Sequence, residues 1–386
     1  DTSPVGSKGV ANAPDGRCIS LLKILMSNEC LYDCEYCPNR RSSGTERARI
    51  TPDEVCRLTI NFYKRNYIEG LFLSSAVFDT PDRTMELLTE TVVRLRKLYN
   101  FNGYIHLKGI PGADRELMMK AARYADRMSY NIELPSEKSL RLLAPQKSRD
   151  SLLTPMKRLQ SAIACDRENK AKEGMVLPAG QTTQMIVGAS PESDGQILRL
   201  TEYLYRRLGL KRVYYSSYIP VVASPLLPAK PTGLLREHRL YQADWLLRFY
   251  GFDVNELCGE GENLSEDYDP KCAWALKNMH LFPVEINTAP LEMLLRVPGI
   301  GAKSAYKITE ARRFAKLDFD NLAKMRIVLK RARHFITCKG KFYGAEGEAV
   351  RTALMIDERS RPGGSAEQLS MFSTPSDAIG ALTGQL

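Results

Sequence analysis

The stretch NECLYDCEYCPNR, Asn28–Arg40, decides how the rest of the 386-residue chain is read. It sets Cys30, Cys34 and Cys37 in a C-x3-C-x2-C spacing, with Tyr36 just before the last thiol. Three thiolates within eight residues can wrap one face of a compact metal centre, whereas a structural zinc site needs four ligands at fixed distances. No fourth ligand is near. Cys56 falls in a predicted helix, and His106, the nearest histidine, lies 69 positions beyond Cys37. Three thiolates without a fourth are what a [4Fe-4S] cluster with one open iron requires, and an iron without a protein ligand can bind a small molecule. The other reading of the same residues is a zinc knuckle completed by a distant ligand.

With its aromatic residue before the third thiol, and following a predicted strand Leu21–Ser27, the spacing resembles that of the radical S-adenosylmethionine (SAM) superfamily. The resemblance implies that the amino and carboxylate groups of SAM chelate the free iron. It further implies that an electron, supplied by a donor such as flavodoxin or ferredoxin, cleaves SAM to methionine and a 5'-deoxyadenosyl radical that takes hydrogen from a substrate. The protein's part is then to position the cofactor and exclude water.

Composition sets the outer limits. The length allows two or three domains, and 44% apolar residues can fill a sizeable core. No uncharged apolar run approaches the roughly 18 residues that span a bilayer. Nothing at the N-terminus reads as a signal peptide, and the missing initiator Met suggests processing. Nine cysteines without a repeated framework suit reduced thiols in the cytoplasm better than disulfides. The formal charge of +10 points to a polyanionic partner if that charge is concentrated somewhere.

Along the chain, residues 1–17 read as a flexible leader. From Leu21, strands and helices alternate. Thr51-Pro52-Asp53-Glu54 is a helix start, with Thr at the N-cap, Pro at N1 and Glu at N3. Strands are predicted at Ile68–Ser75, Tyr104–Ile110, Met128–Leu134, Thr182–Gly188 and Arg212–Ile219, with a helical insertion at 137–169 broken near Pro145 and Pro155. Six strands alternating with helices argue for a parallel sheet with right-handed crossovers. The superfamily resemblance implies a partial (β/α)6 TIM-like barrel over residues 18–225, whereas pattern alone also allows a doubly wound sheet. In either fold, ligands gather at the carboxyl ends of the strands.

Several rim residues are candidates on that basis. Ser74 and Ser75 end the second strand, where the superfamily often has a Gly-Gly-Glu segment that holds the SAM amino group; here no Glu follows. Asn131 and Glu133 alternate with apolar neighbours on the fourth strand, and Glu133 is placed to bond the ribose hydroxyls. At the fifth, Gln184 to Gly188, including Val187, resembles the segment that packs against adenine, with Gly188 allowing close backbone approach. Tyr36 completes the cofactor-binding set. On the sixth, Tyr214 and Tyr218 share one face and are candidates to relay hydrogen or stack a substrate, the alternative being an amphipathic wall.

Residues 226–283 read as a proline-rich linker and packing helices. The next signal is Ile286–Arg313, where Val297-Pro298-Gly299-Ile300-Gly301 joins two predicted helices. This resembles the helix-hairpin-helix motif of DNA repair and recombination proteins, and residues 284–345 form a small all-α module on that reading. Gly299, Ile300 and Gly301 would present backbone amides at the positive end of the next helix, with Lys303 and Ser304 beside a bound phosphate. Arg296 to Lys341 holds 13 Lys and Arg residues against three acids, a local net of +10 that equals the excess of the whole chain. Residues 357–386 read as a disordered tail, within which Gln368–Phe372 (QLSMF) resembles the peptide that docks bacterial repair proteins on the sliding clamp.

A radical SAM barrel followed by a helix-hairpin-helix module resembles a bacterial family described as DNA modification or repair radical SAM proteins, often encoded beside a uracil-DNA-glycosylase-like protein. The resemblance implies an enzyme acting on DNA. The barrel also resembles that of the elongator acetyltransferase subunit and of tRNA-modifying relatives, which leaves RNA open as substrate. A non-catalytic, clamp-associated DNA-binding adaptor with a structural cluster is the third reading.

Overall fold

The computed structural model describes residues 7–12, 18–169 and 175–359. The chain forms two compact units. Of the described residues, one holds those up to Glu192 and Tyr203–Thr232, and the other holds Ser193–Glu202 and residues 233–359.

Up to β7 the chain is built by alternation: β1 (Ser7–Asn12), β2 (Cys18–Leu25), α1 (Pro52–Lys64), β3 (Gly70–Ser74), α2 (Pro81–Lys97), β4 (Tyr104–Lys108), α3 (Arg115–Ala122), β5 (Arg127–Ser129), α4 (Glu137–Leu143), α5 (Arg149–Glu168), β6 (Gln181–Val187), α6 (Asp194–Leu208), of which only the residues from Tyr203 belong to the first unit, and β7 (Arg212–Ser217). The helices begin where short polar side chains can satisfy free amides. Thr51 and Glu54 close a capping box on α1, and Thr80, Asp114, Ser136 and Ser148 cap α2 to α5. Strands β3 and β6 are buried along their whole length, as strands covered on both faces must be.

Strands β2 to β7 are parallel and lie side by side in sequence order. A doubly wound sheet reverses its order at a switch point. This sheet does not reverse, so it is the open half-barrel form of a β/α barrel. Strand β1 adds a seventh, antiparallel member beside β2, and so corrects the expectation of an unstructured leader over those residues.

Two other expectations also change. The predicted strand 128–134 is regular only over β5, because Glu133 takes a positive φ of 65° and touches β6 through a single bridge to Met185. The chain there is held to β6 by two backbone bonds, Glu133 N to Gln184 O at 3.1 Å and Ile186 N to Glu133 O at 2.7 Å, and by Ile132 N donating to Thr183 Oγ1 at 2.9 Å. Pro155 does not break the insertion. It sits inside α5, where it removes one amide donor, while the break falls at 144–148.

The second unit is mostly helical: α7 (Leu234–Phe249), α8 (Val254–Leu257), α9 (Pro270–Lys277), a 3-10 turn (Met279–Leu281), β8 (Val284–Glu285), α10 (Leu291–Arg296), α11 (Ala302–Ala311), α12 (Phe319–Lys324), α13 (Leu329–Ala332), β9 (Ile336–Thr337) and α14 (Glu348–Arg359). It is not all-α. Strands β8 and β9 pair in parallel and bring together the two ends of the segment that holds α10 to α13. Between α10 and α11, Gly299 takes a positive φ of 86°, and between α12 and α13, Arg326 takes one of 59°. Space at Gly299 is tight as well, since a Cβ there would lie 3.2 Å from Ala332 N.

Candidate functional site

Cys30, Cys34 and Cys37 lie in the loop that leaves β2 at its carboxyl end, and all three line one cavity of about 90 Å³. Its other walls come from the ends of the next strands: Ser75 to Val77 after β3, Lys108 to Pro111 at β4, and Asn131 and Glu133 after β5. The barrel rim thus gathers five of the sequence-derived candidates around the three thiols, namely Tyr36, Ser75, Asn131, Glu133 and, by packing on the same core, Tyr218.

The cysteine loop is fixed by its own backbone. Leu31 N bonds Val77 O at 2.7 Å, Glu35 N bonds Leu143 O at 2.8 Å, and Cys37 N bonds Cys34 O at 3.0 Å. Arg47 is the clasp. Its guanidinium donates to the carbonyls of Asn28 at 2.6 Å, Asn39 at 3.0 Å, Arg40 at 2.6 Å and Ser43 at 3.3 Å. Beneath the loop, Cys34 and Tyr36 pack with Leu140, Leu143, Ile186 and Tyr218.

The electrostatics are those of thiols awaiting a partner. Burial pushes Cys34 up and Cys37 up to about 12, so both are protonated in the metal-free protein, and binding a metal would release those protons. Lys147 donates to Glu133 at 3.0 Å, the Glu133 side chain being buried and that of Lys147 13% exposed. Burial opposes the charge on Lys147, but the Glu133 carboxylate beside it outweighs that penalty and holds the ammonium above the ordinary lysine range. Lys108 goes the other way, because burial there exceeds the pull of Glu133. The Ser75 hydroxyl is buried and has no hydrogen-bond partner.

Other candidates stand elsewhere. Ser74 is fully buried and donates to Ile24 O at 3.2 Å, which spends its hydroxyl on the sheet rather than the cavity. Gln184 accepts from Asn131 Nδ2 at 3.4 Å. Val187 is buried in β6, and the close approach at Gly188 is made by Thr232, whose Oγ1 would stand 1.9 Å from an added Cβ. Tyr214 is half-buried at 5.0 Å from the Arg212 guanidinium and is not among the cavity's lining residues. Tyr215, on the opposite face, is fully buried.

Lys108, Lys147 and Arg47 were missed. Lys108 was findable, as the last residue of a strand whose carboxyl end faces the site. Lys147 and Arg47 sit in irregular segments where no periodicity marks them.

The donor set fits an iron-sulfur cluster held by three thiolates. A zinc site would need four donors around one point. Among the described residues no group of three or more His, Cys, Asp or Glu side chains is placed to hold a metal ion. The ligands of a cluster bind separate irons and need not meet at a point. The eight cysteines whose side chains are described are all free thiols. Among the described residues no helix is long and apolar enough to cross a membrane.

In the second unit, Gly299 is exposed at the turn between α10 and α11, Ile300 is buried, and Lys303 is exposed on the first turn of α11 with Ser304 beside it half-buried. Gly301 is the N-cap of α11 and offers no side chain. The Ala302 amide is taken by the Tyr250 hydroxyl at 3.2 Å. Gln368–Phe372 lies outside the described residues.

No protein-family profile and no curated protein matches the chain. Among solved structures, SuiB of Streptococcus suis bound to its precursor peptide SuiA is similar at 13% identity, covering 58% of this chain and 45% of that one, with a TM-score of 0.42. The FeFe-hydrogenase maturase HydG of Carboxydothermus hydrogenoformans is similar at 14% identity, 58% and 50% coverage and a TM-score of 0.43. OxsB, a cobalamin-dependent S-adenosylmethionine radical enzyme with aqua-cobalamin and S-adenosylmethionine bound, is similar at 12% identity, 94% and 57% coverage and a TM-score of 0.36. This chain spans about half the length of the first two. Likenesses this distant assign no chemistry.

Proposed function

We propose that the protein is a radical SAM enzyme that acts on nucleic acid, DNA in the first place. The observation that carries the reading is the convergence of Cys30, Cys34 and Cys37 on one cavity at the carboxyl-end rim of an open parallel half-barrel. A [4Fe-4S] cluster there, with SAM on its open iron, would supply a 5'-deoxyadenosyl radical able to take hydrogen from a substrate. The chain's own residues then have defined tasks. The three thiolates hold the cluster, and Arg47 keeps their loop in shape. The Ser75 hydroxyl and the Asn131 side chain offer polar contacts to SAM, and the Lys147–Glu133 pair sets the charge of the cavity wall. Tyr218, packed beside Cys34 and Tyr36, is the tyrosine nearest to a relay role, while Tyr214 is the weaker candidate.

The nucleic-acid half rests on the α10/α11 hairpin and its charge. The amides of Gly299 and Gly301 with Lys303 are the proposed phosphate contact, and the local net of +10 supplies the field. On the same reading the protein works in a reducing cytoplasm with a flavodoxin or ferredoxin as donor, and a uracil-DNA-glycosylase-like protein and the sliding clamp are its candidate partners.

The test is anaerobic incubation of reconstituted protein with dithionite and SAM, with and without DNA or tRNA. Formation of 5'-deoxyadenosine, stimulated by DNA more than by tRNA, is expected; no product under any condition refutes the enzymatic reading. Binding should also fall steeply with salt. For about four phosphate contacts, doubling the salt weakens it by roughly tenfold.

A further inference from the structure

The α7 helix turns an aromatic face outward. Tyr241, Trp245 and Phe249 follow one another four residues apart, and Trp245 and Phe249 remain 53% and 51% exposed. Their rings stand 4.4 Å apart, and the Arg248 guanidinium lies 4.7 Å from the Phe249 ring and 5.8 Å from that of Trp245. Beside Trp245 opens a cavity of about 370 Å³ between α7 and the start of α9, walled also by Tyr241, Gln242, Tyr250, Lys271 and Asp269, whose carboxylate is paired with Arg331 at 2.6 Å. This space is larger than the one at the cysteines.

Two wall residues also hold the glycine turn. The Tyr250 hydroxyl accepts from Ala302 N at 3.2 Å, and Lys271 Nζ donates to Ile300 O at 2.6 Å. Tyr250 and Lys271 in turn face each other, with the ammonium 4.9 Å from the ring. Cavity and turn are therefore two sides of one braced patch, so a strand whose phosphate met the turn would carry its neighbouring base toward the cavity.

We infer that this cavity receives an unpaired nucleobase stacked on Trp245, so that the second unit binds single-stranded or locally opened nucleic acid in preference to closed duplex. The inference rests on the nucleic-acid reading above and names its substrate form. The chemistry of the walls selects the occupant. Flat apolar rings face a ligand that has π-faces, and the Gln242 carbonyl is engaged by Arg239 at 3.0 Å, which leaves its amide nitrogen to donate to a base edge. The surrounding basic charge suits a strand that brings its own phosphates. Stacking of this kind tolerates any base sequence.

The chain has two tryptophans, and the other, Trp274, is buried, so quenching reports on Trp245. The full-length protein is titrated with an oligothymidylate of about 20 nucleotides and with a duplex of equal length, following tryptophan fluorescence and the anisotropy of labelled nucleic acid. Quenching by the single strand is expected. Trp245→Ala should weaken single-strand binding by about 5- to 100-fold and change duplex binding little, while Trp245→Phe should keep most of the affinity. Single-strand binding unchanged in Trp245→Ala overturns the inference and leaves the nucleic-acid reading standing. No binding to either nucleic acid overturns both. Loss of self-association in Trp245→Ala, with nucleic-acid binding intact, assigns the face to a second copy and also overturns the inference.

Discussion

Glu133 and Lys147 meet in the wall of the cysteine cavity as a buried ion pair, and the pair acts as a unit. Neither charge is cheap to leave alone. Removing one partner from such a pair costs about 3 to 5 kcal/mol, mostly because the other stays buried and unpaired. Lys147→Met should therefore lower unfolding stability by roughly 3 kcal/mol, and adding Glu133→Gln should restore much of the loss. Denaturant midpoints of the two singles and the double decide it; strictly additive losses would show that the pair is not coupled. Lys271 offers a pH test. Burial pushes its ammonium down to about 7, against an ordinary lysine value near 10.4. The folded protein then binds fewer protons than the unfolded chain between those limits, so the contribution of Lys271 to stability rises with pH across them. Relative to Lys271→Met, the native protein should gain stability from pH 7 to pH 9, and an unchanged difference between the two would contradict this.

Among the elements, the turn after β6 is the sharpest case of what the residues could and could not say. Gly188 was read as room for an adenine to approach the backbone, and the structure shows Thr232, from a segment 44 residues later, packed where a Cβ would stand. Sequence pattern identifies a position that cannot carry a Cβ without naming what arrives there. Gly188→Ala, at a φ of 83° and 1.9 Å from Thr232 Oγ1, should cost about 3 kcal/mol, with Thr232→Ala recovering only the steric part. A thermal midpoint unchanged by Gly188→Ala would contradict it. The capped helices were legible for a related reason: Thr51, Pro52 and Glu54 act within one turn, so the local sequence contains the whole interaction. Glu133 shows the opposite limit. Its alternation with apolar neighbours reads as strand, yet it takes a positive φ beside Ile132, whose amide bonds the Thr183 hydroxyl across the sheet. Arg47 was invisible for the same reason, since its four carbonyl partners come together only when the loop has closed.

At the scale of the molecule, the alternation of strands and helices left two architectures open, and strand order separates them. Six parallel strands in unbroken sequence order put every strand end on one rim, so residues from four successive loops reach the same space. That is why three thiols close together in sequence meet polar groups that lie up to 117 positions away, from Cys30 to Lys147. In the second unit the concentration of basic residues was legible, whereas the short β8/β9 pair and the aromatic face of α7 were not. Two-residue strands leave no periodic trace, and exposed aromatic residues on a helix read as packing until the fold leaves them uncovered.

The central claim is that Cys30, Cys34 and Cys37 hold an iron-sulfur cluster with an open iron. It is tested most directly by anaerobic reconstitution of the native protein and of Cys30→Ala/Cys34→Ala/Cys37→Ala, followed by iron analysis and assay of reductive SAM cleavage. The account predicts about four irons per chain and 5'-deoxyadenosine from the native protein, and neither from the variant, with nucleic-acid binding retained in both. A variant that still cleaves SAM, or a native protein that holds zinc with a complete set of protein ligands at these thiols, would contradict it.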